Sequence, residues 1–292
     1  MRAILAKIRN YEIRIRKAVN GQMRGDFNSV FKGSGLEFDD VRAYQYGDDV
    51  RRIDWNVSAK GEETFIKVFK EEKEQTVFFL LDVSNSQNIG TQGNTKLALG
   101  KEVCSVLALS AVKEASEVGL ICYSDQKEKY VKPDKGMRKA YEIMLNLYKL
   151  QPISLKTNLN KFLLYALNLI KRRSIVIVIS DFIGNDYEHT LKAMARTHDL
   201  ILIHLTDDKE SNIPPLGIVP LYDNELQKKI WINTSSQWFQ KQQKEKFSNK
   251  KNALENFCRR YRANYLHIST QEDFVPKLIK LFRVRNKKVK AN

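Results

Sequence analysis

Cysteine and histidine are scarce in this sequence, with three and four residues among 292. An odd cysteine count leaves one unpaired, and Cys104 and Cys122 fall inside apolar periodic segments. Buried free thiols are therefore expected, with neither a disulfide framework nor a cysteine metal site. Long apolar runs are missing too. Phe78 to Val83 and Ser174 to Ser180 are far shorter than the roughly 18 to 20 residues needed to cross a bilayer, so no transmembrane helix is expected. The opening residues meet Lys7, Arg9 and Glu12 before an apolar core of signal-peptide length can form, which makes a cytoplasmic protein the expectation. There is no Gly-x-x-x-x-Gly-Lys-Ser/Thr loop, so any ATP hydrolysis must come from a partner. There is no Gly-x-Ser-x-Gly turn either.

Lysine and arginine, by contrast, are in excess: 50 against 34 acidic residues, for a net charge of +16. Residues 1 to 32 carry eight basic and two acidic side chains, residues 236 to 292 fifteen and four, and the stretch between them is near neutral. Charge confined to the two ends, without base-stacking aromatics or a known module, does not describe a specific nucleic-acid reader. It suits contact with an acidic surface, either a protein or the anionic inner leaflet, at which the protein would sit peripherally.

Residues 2 to 20 place Ile4, Ile8, Tyr11, Ile15 and Ala18 at helical spacing among basic residues, which predicts an amphipathic helix. From Gly21 to Lys60, Gly, Asp, Asn and aromatics mix without a sustained period. This predicts ordered loop with short strands, since Phe38, Tyr44, Tyr46, Ile53 and Trp55 are more large apolar groups than a disordered linker needs.

From Gln75 buried strands alternate with amphipathic helices, the pattern of a doubly wound, mainly parallel α/β sheet of Rossmann type. Strands are expected at Thr76 to Asp82, Glu117 to Tyr123, Ser174 to Ser180, Leu200 to Thr206 and Tyr265 to Ile268. Helices are expected at Lys96 to Glu114, Lys135 to Leu150, Leu159 to Lys171, Tyr187 to Arg196, Gln237 to Arg262 and Phe274 to Phe282. Around Asp223-Asn224, residues 217 to 233 look like an inserted hairpin. The expected division is an N-terminal extension over 1 to 74, the α/β domain over 75 to 285, and a basic tail over 286 to 292.

The first strong strand runs into Asp82-Val83-Ser84-Asn85-Ser86. Doubly wound folds bind ligands at the C-terminal ends of strands, near the point where strand order reverses. The strand Ile175 to Ser180 delivers Asp181 in the same way, and Thr157 stands just ahead of a helix start. Asp82, Ser84, Ser86, Thr157 and Asp181 form an all-oxygen set suited to a hard cation that keeps some waters, above all Mg²⁺. With two acidic groups at most, the ion would retain positive charge and an open position for a carboxylate from another protein. The competing expectation is that Asp82, Ser84 and Ser86 merely cap the next segment.

These five positions resemble the metal-ion-dependent adhesion site of von Willebrand factor A domains, whose pattern is Asp-x-Ser-x-Ser, then Thr, then Asp. The resemblance implies a von Willebrand factor A-like fold and Mg²⁺ or Mn²⁺ at the site, with the hydroxyls as near ligands. A second resemblance covers nearly the whole chain. Gly33-Ser34-Gly35-Leu36-Glu37-Phe38, Arg42-Ala43-Tyr44, Gly47-Asp48-Asp49, Arg51-Arg52-Ile53-Asp54-Trp55 and Ser58-Ala59-Lys60 look like the signature of the bacterial family called domain of unknown function fifty-eight. Members of that family place this segment just before a von Willebrand factor A-like domain, and are commonly encoded beside AAA+ ATPases of the MoxR type. The resemblance implies an adaptor or chaperone-like partner of such an ATPase, not an enzyme.

The Gly33 to Lys60 segment could dock a partner, making Arg51, Arg52 and Asp54 candidate contacts. It could equally be structural, with Arg52 and Asp54 paired and Trp55 and Phe38 filling a small core. The enzyme alternative is a Mg²⁺-dependent phosphatase with Asp82 as nucleophile. That chemistry normally wants a second Asp where this chain has Ser84. A Ser–His hydrolase would need a base near its nucleophile, and His189, His198, His204 and His267 fall in predicted elements away from Ser84 and Ser86. His204 and His267, inside apolar strands, are expected to be satisfied core residues.

Overall fold

The computed structural model describes residues 36–59, 63–71, 75–91, 94–154, 156–184, 186–211, 213–223 and 228–281. The expected helix over residues 2 to 20, the start and end of the signature segment, and the basic tail lie outside these residues.

The signature segment holds more strand than its irregular texture predicts. Leu36–Ala43 form β1, which pairs antiparallel with β2 (Phe65–Glu71), a strand the sequence reading did not place. A two-stranded ribbon has no deep core to impose clean apolar alternation, so charged residues interrupt the pattern. Between the strands, Asp54 starts the one-turn helix α1 (Trp55–Ser58) by accepting from the amides of Asn56 and Val57. Trp55 does not fill a core: it is 70% exposed. A single turn capped from one side leaves its first side chain facing outward. Asp54 itself pairs with Lys67 at 3.6 Å.

β3 (Thr76–Asp82) buries six of its seven residues, as a strand covered on both faces must. Val77, Phe79 and Leu81 join one core, while Phe78 and Leu80 join the other. After the small antiparallel turn β4 (Gly90–Thr91) and β5 (Asn94–Thr95), α2 (Lys96–Lys113) covers the first face. It lies so close that a Cβ on Gly100 would stand 2.9 Å from Leu81 Cδ1 and 3.2 Å from Leu205 Cδ1. β6 (Glu117–Tyr123) pairs parallel with β3, and β7 (Lys127–Asp134) pairs antiparallel with β6 at the sheet's edge. β7 escapes the sequence reading because its exposed positions are charged and Pro133 interrupts it, both ordinary features of edge strands.

α3 (Met137–Lys149) packs with α2 on the first face, and α4 (Leu159–Leu169) lies on the second. β8 (Ile175–Ser180) then returns to the other side of β3, followed by α5 (Glu188–Thr197), β9 (Asp199–Thr206) and the short α6 (Asp208–Ser211). The expected hairpin is present as β10 (Ile218–Asp223) and β11 (Lys228–Asn233). The long α7 (Gln237–Arg260), β12 (Asn264–Ser269) and α8 (274–281) complete the described chain. The six-stranded sheet has the order β12-β9-β8-β3-β6-β7, parallel except for β7. It is the doubly wound α/β arrangement expected from the sequence, with element ends shifted by a few residues at most. The order reverses at β3, whose neighbours β6 and β8 lie on opposite sides.

Candidate functional site

The backbone carries Asp82 and Asp181 to this reversal point, because β3 and β8 are adjacent parallel strands and end together. Val83 extends the ladder by one bond, its amide donating to the Tyr123 carbonyl at 2.9 Å. The chain then leaves the sheet in a 3-10 turn over Asn85–Asn88. Ser84 stands at the cap of that turn but makes no side-chain capping bond. Its hydroxyl faces that of Ser86 at 3.1 Å. Both serines are buried.

Asp82 is 3% exposed and held from three directions. Oδ1 accepts from the Ser84 amide at 3.0 Å, and Oδ2 accepts from Ser180 Oγ at 2.7 Å and Gln87 Nε2 at 3.3 Å. The Ser84 amide bond is the capping role that the sequence also allowed. Burial, and then the negative charge of Asp181, push Asp82 up to about 6, against the pull of its hydrogen bonds. Gln87 Oε1 is a buried acceptor with no hydrogen bond among the described residues. The corner is thus rich in inward oxygens and short of positive charge.

Asp181 has a different neighbour. Lys96, the first residue of α2 and fully buried, donates from Nζ to Asp181 Oδ2 at 2.7 Å and to Glu210 Oε1 at 2.5 Å. Burial works to raise Asp181, but Lys96, joined by Lys250 and the Ile183 amide, holds it below its usual value. Burial likewise works against the Lys96 charge and is outweighed by its two carboxylates, so its pKa is raised. Glu210 is raised, burial there outweighing Lys96. Just beyond Asp181, Phe182 has φ +53, a strained value for a bulky residue, and its fully buried ring rests edge-on against His204.

Thr157 is half-buried in the segment before α4. The next residue, Asn158, donates its amide to the Ser124 carbonyl at 3.4 Å, one residue beyond β6. Because Asp82 pairs with Tyr123 at the end of β6, Thr157 lies on the same end of the sheet as the carboxylates. No hydrogen bond joins it to Ser84, Ser86 or either Asp among the described residues. Arg51 is exposed on the 3-10 turn Val50–Arg52, and Asp54 is engaged with α1 and Lys67; no described bond links them to the Asp82 corner.

Lys96 and Glu210 were missed by sequence reasoning. They lie 85 and 114 residues from the groups they meet, so no spacing marks them. The available signal was a lysine opening a helix that is otherwise apolar almost all round.

The donor set fits a hard divalent ion. Asp82, Ser84 and Ser86 supply converging oxygens, and among the described residues the buried Asp82 has no ion-pair partner and Gln87 Oε1 no donor. Among the described residues no group of three or more His, Cys, Asp or Glu side chains could hold a metal. His204 and His267 are engaged as core residues, with Tyr265 and Thr206 at 2.9 Å each.

Among known proteins, uncharacterized proteins of Mycobacterium tuberculosis (strain H37Rv) and Mycobacterium bovis are each 26% identical over 227 residues, spanning 76% of this chain and 71% of theirs. The solved structures similar to this chain include two that it covers over most of their length. An aerotolerance-related membrane protein from Bacteroides fragilis superposes with TM-score 0.43 and 16% identity over 73% of this chain and 99% of that one. The SpRpn10 VWA domain does so with TM-score 0.38 and 10% identity over 70% and 94%. The model of the family described as "Protein of unknown function DUF58" matches residues 40–253, most of the chain, including the signature segment from residue 40 onward and the Asp82 corner, and the chain belongs to that family.

Proposed function

We propose that this chain is a protein-binding module that takes Mg²⁺ or Mn²⁺ at Asp82, Ser84, Ser86 and Thr157, and not an enzyme. The observation that carries the reading is the pair of buried hydroxyls of Ser84 and Ser86, 3.1 Å apart beside a buried carboxylate and released from capping duty. When bound, the ion would offer an acidic residue of a partner a coordination position that neutral hydroxyls leave open. The chain's own contribution is orientation. Ser180 and the Ser84 amide fix the Asp82 carboxylate, and Lys96 holds Asp181 so that it acts from outside the ligand set. Ser84 stands where a phosphatase of this kind normally has its second Asp, which disfavours Asp82 as a nucleophile.

The resemblance stated above supplies the class of partner, an AAA+ ATPase of the MoxR type. The basic segments at the chain's ends add a second, salt-sensitive attraction to acidic protein or to the inner leaflet of the membrane. Among the described residues no helix is long and apolar enough to cross a membrane.

Calorimetry with Mn²⁺ tests the site directly. The parent protein should show saturable binding that Asp82→Ala and Ser84→Ala each lose. A pull-down of the ATPase should then require Mg²⁺ and fail with chelator and with Asp82→Ala. Equal Mn²⁺ binding by parent and both variants would show the ion site to be misassigned.

A further inference from the structure

Beside the Asp82 corner, on the far side of Asp181, the structure holds a half-open cavity of about 660 Å³. That is the size of a small-molecule site, and such sites are characteristically apolar with a few placed polar groups. Its floor is the C-terminal end of β9, with His204, Leu205 and Thr206, and the turn after β8, with Ile183, Gly184 and Tyr187. Lys209, Glu210 and Ile213 form one wall.

The roof is α7, and its packing is unusual. Its buried residues are Phe239 near the start and Leu254, Phe257 and Cys258 near the end, so the middle of this 24-residue helix is not seated in the core. There Gln243, Lys246, Phe247 and Lys250 share one face by helical spacing and line the cavity. The helix spans an opening, anchored at both ends.

The charges around the opening are unequal. Asp181 and Glu210 both line it, but both are held by the Lys96 ammonium. Lys209, Lys246 and Lys250 face the same space. Lys209 donates to the Gly90 carbonyl at 3.3 Å. Lys250 is half-buried and makes no hydrogen bond or ion pair among the described residues, and burial lowers it to about 8 despite the charge of Asp181. His204 is 2% exposed; its Nδ1 bonds the Tyr265 hydroxyl at 2.9 Å, and its Nε2 has no partner among the described residues. Lys250 is thus a half-buried ammonium without a hydrogen-bonding partner among the described residues, on the wall of a mainly apolar chamber.

From this geometry we infer that the cavity is a binding site for a small amphipathic carboxylate, its apolar body seated between Ile183, Leu205, Ile213 and Phe247 and its carboxylate received by Lys250. The inference is independent of the ion proposed at Asp82. A neutral ligand would leave Lys250 unanswered, and a compact inorganic anion would leave the apolar walls uncovered. A monocarboxylate on an alkyl or aromatic body satisfies both.

The test uses decanoate and, as its uncharged counterpart, decanol, titrated into the chain in the presence of chelator and followed by calorimetry. Decanoate should bind at one saturable site. Lys250→Gln should weaken decanoate by about tenfold or more, the range of a charge-assisted bond, while leaving decanol unchanged. Ile213→Trp, which fills the chamber from a loop, should weaken both ligands. Circular dichroism and the unfolding midpoint of each variant establish that it is folded, and Lys246→Gln serves as a second charge variant should Lys250→Gln not fold. Absence of saturable decanoate binding by the parent overturns the inference, as does decanoate affinity unaffected by both the charge change and Ile213→Trp.

Discussion

At the scale of single residues, the decisive group is one that no motif announced. Lys96 is fully buried between Asp181 and Glu210, and a buried ion pair stripped of one partner leaves an uncompensated charge. Lys96→Met should therefore destabilise the protein by about 3 to 5 kcal/mol, read from the urea midpoint at pH 7. Adding Glu210→Gln should recover part of that loss, because one of the stranded carboxylates is then neutral. An unchanged midpoint in Lys96→Met would show that the lysine does not carry this charge balance. His204 gives a second residue-scale prediction with a definite sign. Burial, with the nearby Lys250 and His267, depresses its folded pKa from 6.5 to about 3. The unfolded chain then takes up a proton there that the folded chain refuses, so stability falls as pH drops from about 6.5 toward 3. The full span is worth on the order of 5 kcal/mol. Chemical denaturation between pH 7 and 4 should show a shallower decline for His204→Gln than for the parent; equal slopes would mean that the imidazole is protonated in the folded state.

Elements differ in how much of themselves they write into the sequence. β3, β8 and β9 were legible because burial on both faces demands continuous apolar residues, and each ends on a polar residue where the chain leaves the sheet. The same fact made Asp82, Ser84, Ser86 and Asp181 legible, since a strand end fixes where its next side chains go. β7 and the β1–β2 ribbon were not, because strands solvated on a face or an edge carry charges wherever packing does not forbid them. Trp55 was misplaced for a related reason: a large apolar residue in a polar segment suggests a core, yet α1 is too short to build one. The middle of α7 was legible only as a helix. That it roofs a cavity depends on how far its anchored ends hold it from β9, a distance no local pattern encodes. Lys96 belongs with these, its partners being brought to it by β8 and α6 and not by its own neighbours in sequence.

At the scale of the whole molecule, two modes of attraction are separable by what weakens each. The Asp82 corner sits at the reversal point of the sheet, and its proposed contact works through coordination. The net charge of +16 comes from the chain's ends. Apart from the half-buried Lys250 and Lys277, the described cations of residues 236 to 281 stand in water: Lys241 is 78% and Arg259 74% exposed. Charges so exposed act over about 8 Å at physiological salt and weaken as salt is added. Vesicles containing anionic lipid should therefore sediment the protein at about 0.05 M salt and release it by about 0.5 M, while neutral vesicles should not sediment it at either. Chelator and Asp82→Ala should leave this binding unchanged, since neither alters the basic ends. The metal-dependent contact proposed for the ATPase should respond in the opposite way, to chelator and Asp82→Ala before it responds to salt. Sedimentation independent of both salt and lipid charge would remove the membrane contact, and sedimentation abolished by Asp82→Ala would place it at the metal corner instead.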